Sequence, residues 1–245
     1  MNTAADQVEL QRDYYAATAD RYEALHVREH DEHGLALAWL AGLAAHYGAR
    51  SVLDVGCGTG RAPLYLQRHQ PDLRVLGVEP SAELRAIGHA AGIAVDALVD
   101  GDATCLAYPD NSFDIVCEFG VLHHVERPRV VVSEMLRVSR LGIFVSDDNH
   151  FAAGSPVARV TKRMLDSMGL WKAAYWLRSG GRGYRISDGD GLSYPYSVFD
   201  DLDFLNARCD LVQMGNMTSA GTDFYADAAH VALFARKKGG ACSPR

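Results

Sequence analysis

The sequence predicts an α/β domain, with a mostly parallel sheet of seven strands and helices on both faces. Three observations carry the prediction. Five short β-rich runs alternate with helix-like stretches between Ser51 and Ser146, the pattern of strands joined by crossover helices. Two further β-rich runs near the C-terminus form a closing hairpin at the sheet edge. The 245 residues are 48% hydrophobic and 22% charged, a globular composition with no repeat of about 20 to 50 residues.

The elements follow in order. Leu35 to Ala45, LALAWLAGLAA, is shorter than the roughly 20 residues that span a bilayer and reads as a buried helix. Strands are expected at Ser51–Val55, Arg74–Glu79, Val95–Val99, Phe113–Glu118 and Gly142–Ser146, each stopped by Gly, Pro or Asp. Helices are expected at Arg61–His69, at Ser81–Ala91 with Ser81 as N-cap, and at Pro128–Val138 with Pro in the first turn. A helix near Ser197–Ala207 precedes the last strands, Asp210–Met214 and His230–Arg236. Between them, His150 to Tyr196 interrupts the alternation after the fifth strand. It combines an aromatic helix containing Trp171, Tyr175 and Trp176 with the Gly-rich SGGRGYRISDGDG, read as a flexible loop. It reads as an insertion covering a site.

A net charge of −7 and a pI near 5.8 argue against a general nucleic-acid or anionic-membrane partner, which needs a basic footprint. A small molecule is the default partner. The start, MNTAADQVEL, lacks the basic and apolar segments of a secretory signal. Five cysteines without a CxxC pair indicate neither a disulfide framework nor a zinc site. The expectation is a cytoplasmic protein.

Val52 to Gly60, VLDVGCGTG, places Gly56, Gly58 and Gly60 between a buried strand and a helix, where glycine allows close backbone approach to a ligand. Glu79 ends the second strand about twenty residues on, where a carboxylate accepts ribose hydroxyl protons at a sheet switch point. The spacing is GxGxG rather than the dinucleotide GxGxxG. Asp54, just before it, repels a pyrophosphate but orders the loop amides or attracts an ammonium group. Asp102, after the third strand, suits an adenine amino group. The ligand read from these residues is a nucleoside bearing an amino acid.

With these residues the chain resembles class I S-adenosylmethionine-dependent methyltransferases, over about Gln11 to Lys237 apart from the insertion. VLDVGCGTG, Glu79 in GVEPS, Asp102-Ala103 and FDIVCEFGVLHHV stand in that family's order. The resemblance implies a Rossmann-like sheet in the order 3-2-1-4-5-7-6 with the seventh strand antiparallel, and S-adenosylmethionine as cofactor. It implies that Asp54, Gly56 and Gly58 surround the methionine part, that Glu79 holds the ribose and that Pro80 and Ser81 flank adenine. Asp102 and Ala103 would read the adenine edge, and the backbone at Glu118 and Phe119 would approach the amino group. DYYAATADRYEALH is similar to the family's lid, with Tyr15 and Tyr22 on one helical face over the cofactor. The division is then one domain, 1–245: a helical lid (1–48), a cofactor-binding core (49–149), a substrate cap (150–196), and a C-terminal helix and hairpin (197–236).

Methyl transfer is an in-line displacement that chiefly requires alignment and exclusion of water. An alcohol acceptor also needs a base. His123 and His124 follow the fourth strand, and Asp147, Asp148, Asn149 and His150 follow the fifth, so both groups open onto one crevice. Resemblance to sugar and natural-product O-methyltransferases makes His123, with Asp147, the candidate base. Glu118, Asp148 and Asn149 stand where catechol O-methyltransferases place Mg²⁺ ligands, but with Glu where Asp is usual and a different lid, and no metal is assigned. The reading is transfer to oxygen or nitrogen of a small molecule, without nucleic acid or membrane partners and with a homodimer as candidate assembly. The alternatives are a non-catalytic cofactor-binding or partner protein and a quinone-type C-methyltransferase.

Overall fold

The computed structural model describes residues 4–21, 31–218 and 221–242. In chain order the elements are α1 (Ala4–Thr18), α2 (Glu32–Tyr47), β1 (Ser51–Val55), α3 (Arg61–His69), β2 (Arg74–Val78), α4 (Ala82–Ala90), β3 (Leu98–Val99), β4 (Phe113–Phe119) and α5 (Pro128–Val138). They continue with β5 (Ser139–Asp148), α6 (Pro156–Ser167), α7 (Trp171–Arg178), β6 (Arg185–Ser187), β7 (Gly191–Ser193), α8 (Leu202–Arg208), β8 (Cys209–Asn216), α9 (Phe224–Asp227) and β9 (His230–Lys237).

β1 is buried along its whole length, as an apolar strand covered on both faces must be. Around it the sheet runs β3-β2-β1-β4-β5-β9-β8. The first five strands pair in parallel and β9 runs antiparallel to both neighbours. The fold and order match the expectation. Side chains alternate across the sheet. Leu53, Val116 and Val145 pack with Val131, Val132 and Met135 of α5, whereas Val52, Ile115 and Phe144 meet Ala36, Leu40 and Ala44 of α2 and Leu66 of α3. Truncating Leu40, which is fully buried, costs about 2–5 kcal/mol. Among the described residues, no helix is long and apolar enough to cross a membrane.

Three local expectations change. The segment read as a lid divides, because α2 is a core helix under the sheet, N-capped by Asp31 and ended by Gly48 at φ 67°. The third strand shrinks to Leu98–Val99: Val95 is exposed, and the Ala97 amide turns back to Ala94 O. The cap holds two helices and a hairpin, with SGGRGYRISDGDG supplying β6 and its turn. Gly191 takes φ 67°, and a Cβ there would fall 2.6 Å from Gln11 Oε1 and 2.7 Å from Tyr14 Cδ1. Glycine thus lets the hairpin lie on α1.

Candidate active site

The turn from β1 to α3 follows the Gly56-Cys57-Gly58-Thr59-Gly60 sequence, with Gly56 at φ 69°. A Cβ on Gly56 would lie 2.5 Å from the Val121 side chain, so only glycine fits. The Gly56 and Cys57 amides donate to Val78 O, at 2.8 and 3.1 Å. The next amide, of Gly58, donates to Glu79 Oε2 at 3.0 Å, while Ser81 N donates to Oε1 at 2.9 Å. Glu79 therefore orders the loop, the task the sequence reading gave to Asp54. Burial pushes the Glu79 carboxyl up. Asp54 lies buried beside Cys117, whose thiol donates to it at 3.7 Å, and burial lifts its pKa to about 7. Such a group favours a neighbouring cation.

Glu79, Pro80, Ser81, Asp102 and Ala103 line one chamber of about 490 Å³ at the carboxyl ends of β2 and β3. Asp102 is exposed there, and its Oδ1 accepts the Thr104 amide at 2.8 Å and hydroxyl at 2.7 Å, an Asx turn that fixes its direction. Phe119 borders this chamber. The Glu118 side chain is instead wholly buried, accepting Val121 N at 2.9 Å and Ser146 N at 3.0 Å, and its carboxyl sits well above the usual range through burial and Asp147. Tyr15 closes the chamber from α1. Tyr22 lies outside the described residues.

A second chamber, of about 370 Å³, adjoins the first, and Tyr15, Gly56, Phe119, Gly120 and His124 border both. Its wall brings together Asp31, Glu32, His33, Asp54, Asp148, Asp190, His123 and His230. Arg61, the one arginine on this wall among the described residues, is paired with Asp31 at 2.6 Å. His123 Nδ1 donates to Asp147 Oδ1 at 2.7 Å, and the buried Asp147 also accepts the Leu122 amide at 2.7 Å and the Asp148 amide at 2.5 Å. Despite burial, this ion pair holds the His123 imidazole well above its ordinary range and the Asp147 carboxyl far below its own. Opposite it, burial and the neighbouring His230 bring His33 down to about 4. The His33 and His230 rings meet edge to face at 4.9 Å, and His33 Nδ1 has no hydrogen-bond partner among the described residues. His230 also hydrogen-bonds Ser146 Oγ at 3.0 Å and stands 3.7 Å from Asp148.

His124 joins the two covers. Tyr15 OH of α1 donates to its Nε2 at 3.0 Å, and its Nδ1 donates to Leu192 O of β7 at 2.7 Å. Burial and the His123 charge bring it down to about 4, so it stays neutral. Gln11 and Tyr14 of α1 extend the seam, Gln11 Oε1 accepting Leu192 N at 2.6 Å and Tyr14 OH donating to Asp188 O at 3.0 Å. α1 and the β6–β7 hairpin thus meet above the crevice.

Glu118, Asp148 and Asn149, weighed from sequence as Mg²⁺ ligands but not assigned to a metal, do not converge. Glu118 is committed to two amides, and Asn149 is turned inward, its Oδ1 accepting Phe151 N and Ser197 Oγ while its Nδ2 donates to Phe224 O, Tyr225 O and Ala228 O. Asp148 alone faces the chamber. The sequence reading also missed Asp31, His33, Arg61, Asp190 and His230, which share no motif and meet only through tertiary structure. The one available signal was the His-His doublet, and its second member proves to be the contact between the covers.

Residues 53–145 match the family model described as a methyltransferase domain. A phosphatidylethanolamine N-methyltransferase from Cereibacter sphaeroides is 36% identical over 140 residues, 49% of this chain and 62% of that protein. An ajmaline N-methyltransferase from Rauvolfia serpentina is 31% identical over 97 residues, 38% of this chain and 33% of that one. The chain thus spans less than two thirds of these relatives. In fold, it is similar to a Thermotoga maritima structure described as a possible histamine N-methyltransferase, with a TM-score of 0.57 and 18% identity over 93% of this chain and 98% of that one. A plantazolicin methyltransferase complex with a triazolic desmethyl analogue and SAH gives a TM-score of 0.53 at 15% identity, covering 96% of each chain. Domain match, strand order and glycine-loop geometry agree: residues 53–145 match a methyltransferase domain, on the fold of the class I methyltransferases that use S-adenosylmethionine.

Proposed function

We propose that this chain transfers a methyl group from S-adenosylmethionine to a nitrogen of a small amine. The residues present fit that cofactor: Glu79 and Asp102 offer acceptors for ribose and adenine beside the apolar faces of Pro80 and Ala103, and Asp54 offers a buried carboxylate for an ammonium group. Bound there, the cofactor supplies an electrophilic sulfonium methyl. Tyr15 and Gly56 shape the passage between the chambers, and Phe119 walls both of them, while Gly58 lines neither and serves the loop through its amide bond to Glu79.

The observation that carries the nitrogen reading is the acidity of the second chamber. Asp31, Glu32, Asp148 and Asp190 line it, and the one arginine among the described residues of its wall is paired with Asp31. Carboxylates attract and orient an ammonium group, which must lose a proton before its lone pair attacks. His33, neutral down to about pH 4, adds no positive charge to this wall and is too weak a base to take that proton, which passes to bulk water. The freed lone pair would then face the methyl that the cofactor would supply, with Asp148 and Asp190 holding the amine in the chamber. His123 is already protonated by its pairing with Asp147, so its place is to hold the crevice wall and balance charge. The oxygen reading needs His123 in its neutral form. We place the reaction in a reducing, cytoplasmic setting, supported by five unpaired cysteines.

The test offers the protein labelled S-adenosylmethionine with amines and alcohols of matched skeleton. Methyl transfer to amines, with a KM for the amine raised in Asp190→Asn and Asp148→Asn, is expected. Transfer confined to alcohols would establish the oxygen reading. Tight cofactor binding without transfer to any acceptor would favour the non-catalytic one.

A further inference from the structure

We propose that the outer face of the cap docks on an anionic lipid surface. The inference does not depend on the acceptor. Val157, Val160, Met164 and Met168 recur at helical spacing along and just beyond α6, and they are 77%, 56%, 57% and 50% exposed. Trp176 and Leu177 of α7 and Ile186 of β6 are also exposed. Most of the large hydrophobic side chains open to solvent among the described residues thus belong to this one insertion. A helix with an apolar stripe and basic flanks is the type that lies in a membrane interface, where tryptophan is favoured.

Charge selects the occupant. Residues 156–186 contain seven Lys and Arg against one carboxylate, Asp166. The segment carries +6 in a chain of −7, so the remainder carries −13. Among the described residues none of the seven cations is ion-paired, and Asp166 accepts the Tyr225 hydroxyl. The cations also cluster: burial, with Arg178 and Arg159 alongside, pulls the Lys162 ammonium below the usual lysine range. A second copy of this face would bring like charges together, and a nucleic acid would leave the apolar stripe in water. An anionic bilayer satisfies both, taking the stripe into its headgroup boundary and the cations among its phosphates. The acidic remainder is repelled, which orients the molecule cap-first. The hairpin that turns Arg185 and Ile186 outward also carries Asp190 into the acidic chamber.

Flotation with vesicles of phosphatidylcholine alone, or mixed with phosphatidylglycerol, tests the proposal on the full chain. The protein should float only with the mixed vesicles and detach at high salt. Val160→Asp with Met164→Asp, and separately Arg178→Glu with Arg185→Glu, should each weaken binding about tenfold or more, with unchanged thermal melting because these side chains are exposed. Equal binding to both vesicle types, no binding, or full binding by either double variant overturns the proposal. So does a dimer in sedimentation that Val160→Asp dissociates, which would make this face a contact between copies. Binding to an RNA homopolymer that the apolar double variant leaves intact, without vesicle binding, would assign the basic cluster to nucleic acid instead.

Discussion

The two chambers of the crevice are built by different rules. The nucleoside chamber takes Gly56, Glu79 to Ser81 and Asp102-Ala103 from short segments at strand ends, all inside the stretch that matches the family model. The acidic chamber takes Asp31, His33, Asp148, Asp190 and His230, all outside that stretch. A ligand common to a family is held by local motifs whose geometry follows from one turn each. The side chains of the acidic chamber, where the proposed reading seats the acceptor, are brought together only by the whole fold.

The sharpest way to break this comparison is Asp147→Asn. It leaves the buried His123 charge unpaired, and about 3–5 kcal/mol of stability should be lost at neutral pH, measured by denaturant unfolding. Binding of the demethylated cofactor by the protein that stays folded should survive, and its loss would show that the chambers are not separable. The pair also sets a pH signature. Asp147 is depressed when folded, so its contribution is present above its unfolded value and lost as pH falls through its low folded value. His123 is raised, so its contribution is full below its unfolded value and lost as pH rises through its folded one.

Glu79→Ala is the converse. It removes a ribose acceptor together with the anchor of the Gly58 and Ser81 amides, and cofactor affinity by calorimetry should fall about a hundredfold, roughly 3 kcal/mol. Thermal stability should change less than in Asp147→Asn. A loss under about threefold would mean that the loop holds its shape unaided.

Asp54 lines the acidic chamber two residues before Gly56, which borders both chambers, and its value near 7 makes cofactor binding sensitive to pH. The ionised form attracts an ammonium group, so affinity should decline by up to about tenfold per pH unit below 7 and level off above it. A flat calorimetric profile, or an unaltered one in Asp54→Asn, would place the ammonium elsewhere. Tyr15→Phe has the smallest expected effect. Losing its bond to His124 should cost about 1 kcal/mol of closure, read as a several-fold rise in KM for the cofactor with kcat little changed.

What was legible in the sequence follows the same division. Most strands and the Ser81 cap were readable because periodicity and turn chemistry are local, whereas the sheet order came from the family resemblance alone, as did the placing of Pro80, Ser81 and Ala103 beside the nucleoside chamber. Val95 shows the limit: its β-prone side chain suggested strand, yet it lies exposed outside the ladder. Gly-rich SGGRGYRISDGDG reads alike as a loop or a hairpin, and contact with α1 decides between them. The total charge of −7 hid the segregated cap, because a sum retains no positions. Glu79 and Asp54 were both found, but which one accepts the loop amide depends on atomic placement.

The reversed direction of β9 has a wider consequence. Parallel strands present their carboxyl ends to the crevice, but β9 presents its beginning, so His230 enters the acidic wall directly from the β8–β9 connection. That connection lies downstream of every residue that contacts the nucleoside chamber. Exchanging it, or lengthening it by a few residues, would remodel one side of the acceptor cavity while leaving the nucleoside motifs untouched. A single strand laid backwards thus gives this architecture a replaceable wall, through which new acceptors can be tried while the inherited methyl donor is kept.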